Sequence, residues 1–242
     1  MSIKQRLRAE NSYYQMQEIT DNLYQRSKNN DIFTKLYELI ITEENIMLAY
    51  RNIKTNKGSN TEGTDGKNIF QYKNISSSEL IELVRSRIEN YTPHPVRRVM
   101  IPKANGKLRP LGIPTMEDRL IQQCVKQILE PICEAKFHKH SYGFRSLRST
   151  KHALARMHSL INVSQLHYCI DIDIKSFFDN IDHGKLLKQL WYIGIQDKRV
   201  LRIISKMLKT EIEGEGIPTK GTVQGGTISP LLSNIVLNEL DW

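Results

Sequence analysis

The residues best equipped for chemistry lie between Tyr168 and His183, in the run YCIDIDIKSFFDNIDH. Cys169, Asp171 and Asp173 alternate with Ile170, Ile172 and Ile174, the period-two pattern of a strand with one polar and one apolar face. Carboxylates are poor strand formers, so two on one face mark either a solvated edge or a ligand site. Lys175, Ser176, Phe177 and Phe178 then carry the chain off the strand beside the second acid. A carboxylate at a strand end, flanked by rings and a lysine, suits a hard divalent ion that keeps part of its water shell and binds substrate phosphates. One carboxylate does not complete such a site. A second stretch, KGTVQGGTISPLLSNIVLNELDW from Lys220 to Trp242, joins a glycine-rich turn to an apolar helix. Gly225 and Gly226 allow a sharp turn or close approach of a ligand, with Gln224 offering hydrogen bonds beside them.

The elements that must position these residues follow from periodicity and capping. A basic arm with Lys4, Arg6 and Arg8 precedes an amphipathic helix expected over 12–25, and 31–41 reads as a helix. Thr42 caps another, with Glu43 and Glu44 in its first turn. The polar run 56–66, NKGSNTEGTDG, reads as a surface loop. Ser76 and Glu79 form a capping box ahead of the stripe Leu80, Leu83, Val84 and Ile88. Strands over 97–102 and 107–113 meet at Asn105-Gly106, the strongest hairpin signal in the chain. Thr115 and Asp118 cap a helix running to about Ile132, and Ser149 or Thr150 caps one to Leu160. Asp182 caps a helix over 183–192, and a further helix spans 197–209. Short extended pieces around 211–213 and 216–218 lead into the glycine turn.

With 242 residues the chain is long enough to bury a sizeable core in one or two domains. Lys plus Arg exceed Asp plus Glu by 35 to 26, a formal charge of +9 that points to a polyanionic partner. Ala135 to Ile170 contains no acid but holds Lys136, Lys139, Arg145, Arg148, Lys151 and Arg156. Within it, SYGFRSLRS interleaves Tyr142 and Phe144 with arginines, a pattern that stacks bases and holds phosphates; a core role is the expectation for Phe144. The hairpin carries Arg97, Arg98, Lys103, Lys107 and Arg109 with no acid, which either present cations to a triphosphate or form a solvated ribbon. Cys124, Cys133 and Cys169 have no close pairing and read as buried free thiols in a reducing compartment. His138 and His140 lack cysteine partners at finger spacing. No apolar run approaches the roughly twenty residues of a membrane span and no signal peptide opens the chain, so a cytoplasmic location is expected.

Taken in order, IPKANGKLRPLGIP (Ile101 to Pro114), SYGFRSLRS (Ser141 to Ser149), the acidic run and the QGG stretch resemble the reverse transcriptase of bacterial group II introns, also called a maturase. The resemblance extends from about Asn56 onward. It implies an α+β fold, the fingers and part of the palm of a right-hand polymerase, organised as 1–55 (basic arm and helices), 56–165 (fingers with the nucleotide-gripping hairpin) and 166–242 (first part of the palm). Asp173 then matches the first metal-binding carboxylate, supplemented by the carbonyl of Ile174, at a site for two Mg²⁺ ions; Asp171 is its chemical rival. Lys103 and Arg109 fall where the hairpin grips the triphosphate, with Gln224 in the nucleotide-binding set. Phe178 matches the ring beneath the sugar that excludes a 2′-hydroxyl, although an ordinary core role is open to it.

By the same resemblance, Tyr142, Phe144, Arg145 and Arg148 lie near template and nucleotide, and Lys4, Arg6 and Arg8 in the region that helps hold intron RNA; Arg97 and Arg98 of the basic ribbon and Lys151 of the acid-free stretch are RNA-binding candidates by their charge. The implied function is RNA-directed DNA synthesis together with intron-RNA binding that assists splicing and mobility. Implied partners are group II intron RNA, an RNA template with a DNA primer, and deoxynucleoside triphosphates; the sequence leaves a homodimer open. Competing readings are an RNA-binding splicing factor on a polymerase-like scaffold without catalysis, and a defence-type reverse transcriptase. Two features depart from the family pattern. There is no adjacent Asp pair before Trp242, so an N-terminal fragment with an incomplete metal site and no polymerisation of its own is expected. Val223 stands where proline commonly precedes QGG.

Overall fold

The computed structural model describes residues 2–102, 106 and 108–242, with Ile3 placed by its backbone alone. The chain opens with α1 (Ile3–Tyr13) and α2 (Gln17–Lys28), where periodicity predicted one helix over 12–25. Gln15 breaks it with a left-handed backbone at φ 57°, and the basic arm is itself helical, started by a reciprocal cap between Ser2 and Gln5. Next come α3 (Leu36–Ile40) and α4 (Glu43–Lys54), the latter capped by Thr42, then α5 (Ser77–Glu89) behind the Ser76–Glu79 box. Strands β1 (Arg97–Pro102) and β2 (Leu108–Ile113) pair antiparallel with Arg97 opposite Ile113 and Ile101 opposite Arg109.

The longest helix, α6 (Met116–Glu134), starts at the expected Thr115 cap. It is the axis of the core: α2, α3, α4, α5 and α10 (Ser229–Asp241) all pack on it. Leu120, Ile121, Cys124, Val125, Ile128, Leu129 and Ile132 are completely buried. Polar side chains tie the neighbours to its main chain, Ser27 Oγ donating to the Ile132 carbonyl at 2.7 Å and Asn45 Nδ2 to that of Cys124 at 3.1 Å. Arg119 is also buried. Its guanidinium donates to the carbonyls of Pro114, Gly58 and Thr61, so the polar loop read as a surface turn is fastened to α6. The remaining α-helices are α7 (Thr150–Asn162), α8 (His183–Ile193), started by the expected Asp182 cap, and α9 (Lys198–Leu208), started by Asp197.

The expected α+β arrangement takes the form of helices gathered around α6 with one small antiparallel sheet of two strands among the described residues, plus isolated bridges that join Phe33 to Ile195 and Val96 and Gly216 to Ile212. One expectation about the strands is corrected. The run expected as an acidic strand is unpaired: Tyr168, Ile170 and Ile172 are 99%, 86% and 74% exposed. Alternation encodes two faces, but a strand also needs a neighbour for its N–H and C=O groups, and the described residues supply none to this run. The helix before it, α7, likewise buries none of its residues.

Cys169 shares that exposure, against the expected buried thiol, whereas Cys124 and Cys133 are enclosed. Burial pushes the Cys133 thiol up strongly and that of Cys124 up to about 12. Among the described residues no helix is long and apolar enough to cross a membrane.

Candidate functional site

Three separate stretches meet at one place. At the end of β2, the Gly112 N–H donates to the Gln224 carbonyl at 2.7 Å, laying the glycine turn against the hairpin. The contact leaves no room for a side chain: Gly225 has φ 118°, and a Cβ there would lie 2.4 Å from the Gly112 oxygen. On the other side the same loop is zipped to the turn Phe177–Asn180, which Ser176 opens with φ 50°. The N–H of Thr222 donates to the Phe178 carbonyl at 2.8 Å, and that of Gly221 to Ile181 at 2.7 Å. His183, buried at the start of α8, bonds the Gly221 carbonyl through Nε2 at 2.7 Å. That contact fixes the tautomer, since a carbonyl only accepts, and leaves Nδ1 buried without a partner.

Side chains continue the junction. Arg109 Nε donates to Gln224 Oε1 at 3.0 Å, Gln224 Nε2 donates to Asp179 Oδ1 at 2.9 Å, and Lys220 Nζ donates to Asn180 Oδ1 at 2.7 Å. Behind the loop, Thr227 N–H donates to Gln122 Oε1 on α6 at 2.8 Å, anchoring it in the core. A cavity of about 450 Å³ opens beside these groups, lined by Arg98, Asp179, Glu215, Lys220, Thr222 and Gln224. Val223 contributes packing here, since the position of its side chain against Gly112 would clash with any Cβ there.

The half-buried Phe178 ring sits edge-on to Phe177 and to Phe144, at 5.9 and 6.2 Å between centroids. Phe144 was expected in the core and is instead 69% exposed, on a left-handed backbone at φ 52°. Asp173 and Ile174 lie in the unpaired run, exposed, and among the described residues Asp173 has no hydrogen-bond or ion-pair partner. Nor do the described residues contain a cluster of three His, Cys, Asp or Glu that could hold a metal ion. One carboxylate and one carbonyl fall short of the near-octahedral oxygen shell of Mg²⁺, so the residues present do not by themselves fit a two-ion centre.

The remaining candidates divide by what their charges already touch. Lys103 lies outside the described residues, as does Lys107. Arg98 holds Glu215 in a two-pronged pair at 2.6 and 2.7 Å, and its hydrogen bonds hold the Glu215 carboxyl below the usual range. Arg97 is half-buried with an enclosed, unpartnered Nε. Arg145 was expected as a nucleic-acid contact, but its side chain is 2% exposed. It grips Glu134 and donates to the carbonyls of His138 and Ser141 at 2.6 and 2.8 Å, which makes it part of the fold. Arg148 lies over the Tyr142 ring at 5.8 Å, and Lys151 is exposed at the start of α7. Lys4, Arg6 and Arg8 are exposed on α1, with Arg6 paired to Glu10.

Asp179, Asn180, His183 and Lys220 did not stand out as site residues in the sequence. The signal that could have found Asp179 and Asn180 was two polar residues directly after a Phe pair, where an apolar run would otherwise continue into α8.

Known proteins resemble this chain over most of its length. The family described as "Reverse transcriptase (RNA-dependent DNA polymerase)" matches residues 101–241, more than half of the chain. Protein YkfC of Escherichia coli is 39% identical over 215 residues, covering 86% of this chain and 56% of that protein. The group II intron-encoded protein LtrA of Lactococcus lactis subsp. cremoris is 37% identical over 229 residues, covering 92% of this chain and 37% of that protein. The chain therefore spans about half or less of the length of these curated relatives. Among solved structures, a partial Cas6-RT-Cas1–Cas2 complex superposes with a TM-score of 0.53 at 22% identity, over 86% of this chain and 34% of that one, a likeness of fold.

Proposed function

Because the chain belongs to the reverse transcriptase (RNA-dependent DNA polymerase) family, we propose that it carries the fingers and first part of the palm of an enzyme that copies RNA into DNA and helps its intron RNA to splice and move. The observation that carries the reading is the convergence of Arg109, Gln224 and the Phe178–Asp179 turn from three distant stretches of sequence. The proposed organisation keeps 1–55 as the RNA-holding arm, 56–165 as fingers and 166–242 as palm. The family works with divalent ions, and Asp173 with the Ile174 carbonyl is our candidate for one end of a Mg²⁺ site, whose remaining ligands are not among the described residues.

What the chain's own residues do is bind and orient. Arg109 brings a guanidinium whose terminal N–H groups meet phosphate oxygens, and with Lys103 it forms the cationic grip of the hairpin. Phe178, its carbonyl fixed by Thr222, offers a ring edge that leaves no space for a 2′-hydroxyl. Arg148 with Tyr142, Lys151, and Lys4, Arg6 and Arg8 form the proposed RNA surface, to which Arg97 and the Glu215-paired Arg98 add charge. A basic face of this kind binds RNA backbone with strong salt dependence and reads intron RNA through its shape. That LtrA is an intron-encoded protein supports the maturase half of the proposal, with intron RNA, template, primer and deoxynucleotides as partners, most naturally in a bacterial cytoplasm.

Primer extension by the intact protein on an RNA template tests the reading. Deoxynucleotide incorporation that disappears in Asp173→Ala is expected. Intron splicing assisted equally by wild type and variant, with no primer extended by either, would overturn it in favour of a non-catalytic splicing factor.

A further inference from the structure

The Gln224 amide sits between two groups of opposite charge, Arg109 and Asp179, which lie 115 and 45 residues before it in sequence. Its main chain is already fixed by the Gly112 bond, so the freedom left to it is rotation of the side chain. A carboxamide has a donor end and an acceptor end, and turned over it would set N–H groups against Arg109 and oxygen against Asp179. Arg109 selects the oxygen and Asp179 the nitrogen. Asp179 is in turn held: its N–H donates to Ser176 at 3.1 Å, and its carbonyl is packed so closely by Gly221, φ 88°, that a Cβ there would lie at 2.8 Å.

We propose that Asp179 is a positioning residue for the incoming nucleotide, acting through Gln224: its carboxylate locks the Gln224 amide so that Oε1 occupies Arg109 Nε and leaves the two terminal nitrogens of that guanidinium aimed outward for phosphate. Asp179 touches neither phosphate nor sugar. The inference rests on the nucleotide-binding reading of this junction and adds to it a residue whose charge is opposite in sign to the ligand's requirement. A carboxylate beside a triphosphate site would ordinarily weaken binding by repulsion. With its Oδ1 engaged by Gln224, it acts as an orienting acceptor.

Equilibrium titration of the 242-residue chain with a fluorescently labelled dATP in magnesium buffer tests this, using wild type, Asp179→Ala, Asp179→Asn, Gln224→Ala and the Asp179→Ala/Gln224→Ala double variant, each checked for an unchanged thermal melt. Loss of one orienting hydrogen bond predicts binding weakened about three- to tenfold in Asp179→Ala. Asp179→Asn, which keeps the acceptor oxygen, is expected to recover most of that affinity. In the Gln224→Ala background Asp179→Ala is expected to add nothing, because the amide it orients is gone. Wild-type binding with no loss in Asp179→Ala would overturn the positioning role alone. Equal weakening by Ala and Asn, or full additivity with Gln224→Ala, would also overturn it. Wild type that fails to bind dATP would remove the nucleotide-site reading and this inference with it.

Discussion

Two amphipathic helices of this chain meet opposite fates. Both α6 and α7 carry an apolar stripe at helical spacing, yet α6 is enclosed by five other helices while α7 buries no residue, its Leu154 left 60% exposed. The stripes are of similar chemistry; the neighbours are not. Periodicity states which face a helix could bury, and burial itself is decided by distant segments that arrive with polar anchors such as Ser27 and Asn45.

The sharpest way to break this contrast is a matched pair of truncations. Leu120→Ala, in the sealed part of α6, is expected to cost about 2–5 kcal/mol in urea denaturation, combining lost transfer energy with a cavity. Leu154→Ala on α7 should stay within about 0.5 kcal/mol, as at any exposed site. Equal losses would mean that α7 is covered in solution. A second pair compares two arginines of the basic region. Arg145→Ala removes the partner of Glu134 and of two carbonyls, and should cost about 2–3 kcal/mol, below the usual range for a buried pair because Glu134 is partly exposed. Arg148→Ala, half-buried over Tyr142 with a single bond to the Lys139 carbonyl, should leave stability within about 1 kcal/mol and show itself in salt-dependent RNA affinity.

The smallest effect concerns the Arg98–Glu215 pair. Glu215 is held below its ordinary range in the folded chain, so its contribution is complete above the unfolded carboxylate pKa and is lost as pH falls through the lowered folded value. Wild type and Glu215→Gln should therefore differ slightly in thermal melts near neutrality and converge in acid. A difference that widens toward low pH would show that the pair does not act this way.

Much of the fold could be read because its signals are local. The Ser76–Glu79 box and the caps at Thr42, Thr115 and Asp182 lie within a turn of the helices they start. The break between α1 and α2 escaped notice because Gln15, without glycine or proline, enters the left-handed region on the strength of what surrounds it. Arg145 gave the sequence signal of a surface cation because two of its partners are backbone carbonyls, which have no letter in the sequence. At the junction, Phe178, Arg109 and Gln224 are legible as residue types, but the acceptor role of Asp179 toward a glutamine 45 residues on is not. The acidic run, finally, displays a strand's alternation without a ladder, because pairing belongs to two segments and a pattern to one.

The exposure of Cys169 has a practical corollary. Of the three thiols, two are walled into the core and held protonated by burial, while the third stands in the open four residues before Asp173. The chain thus comes with a native attachment point for a maleimide dye, placed without mutagenesis in the very run whose environment matters most. Emission from that dye would register any polypeptide or nucleic acid that settles against residues 168–174, in real time and against a background free of competing labels.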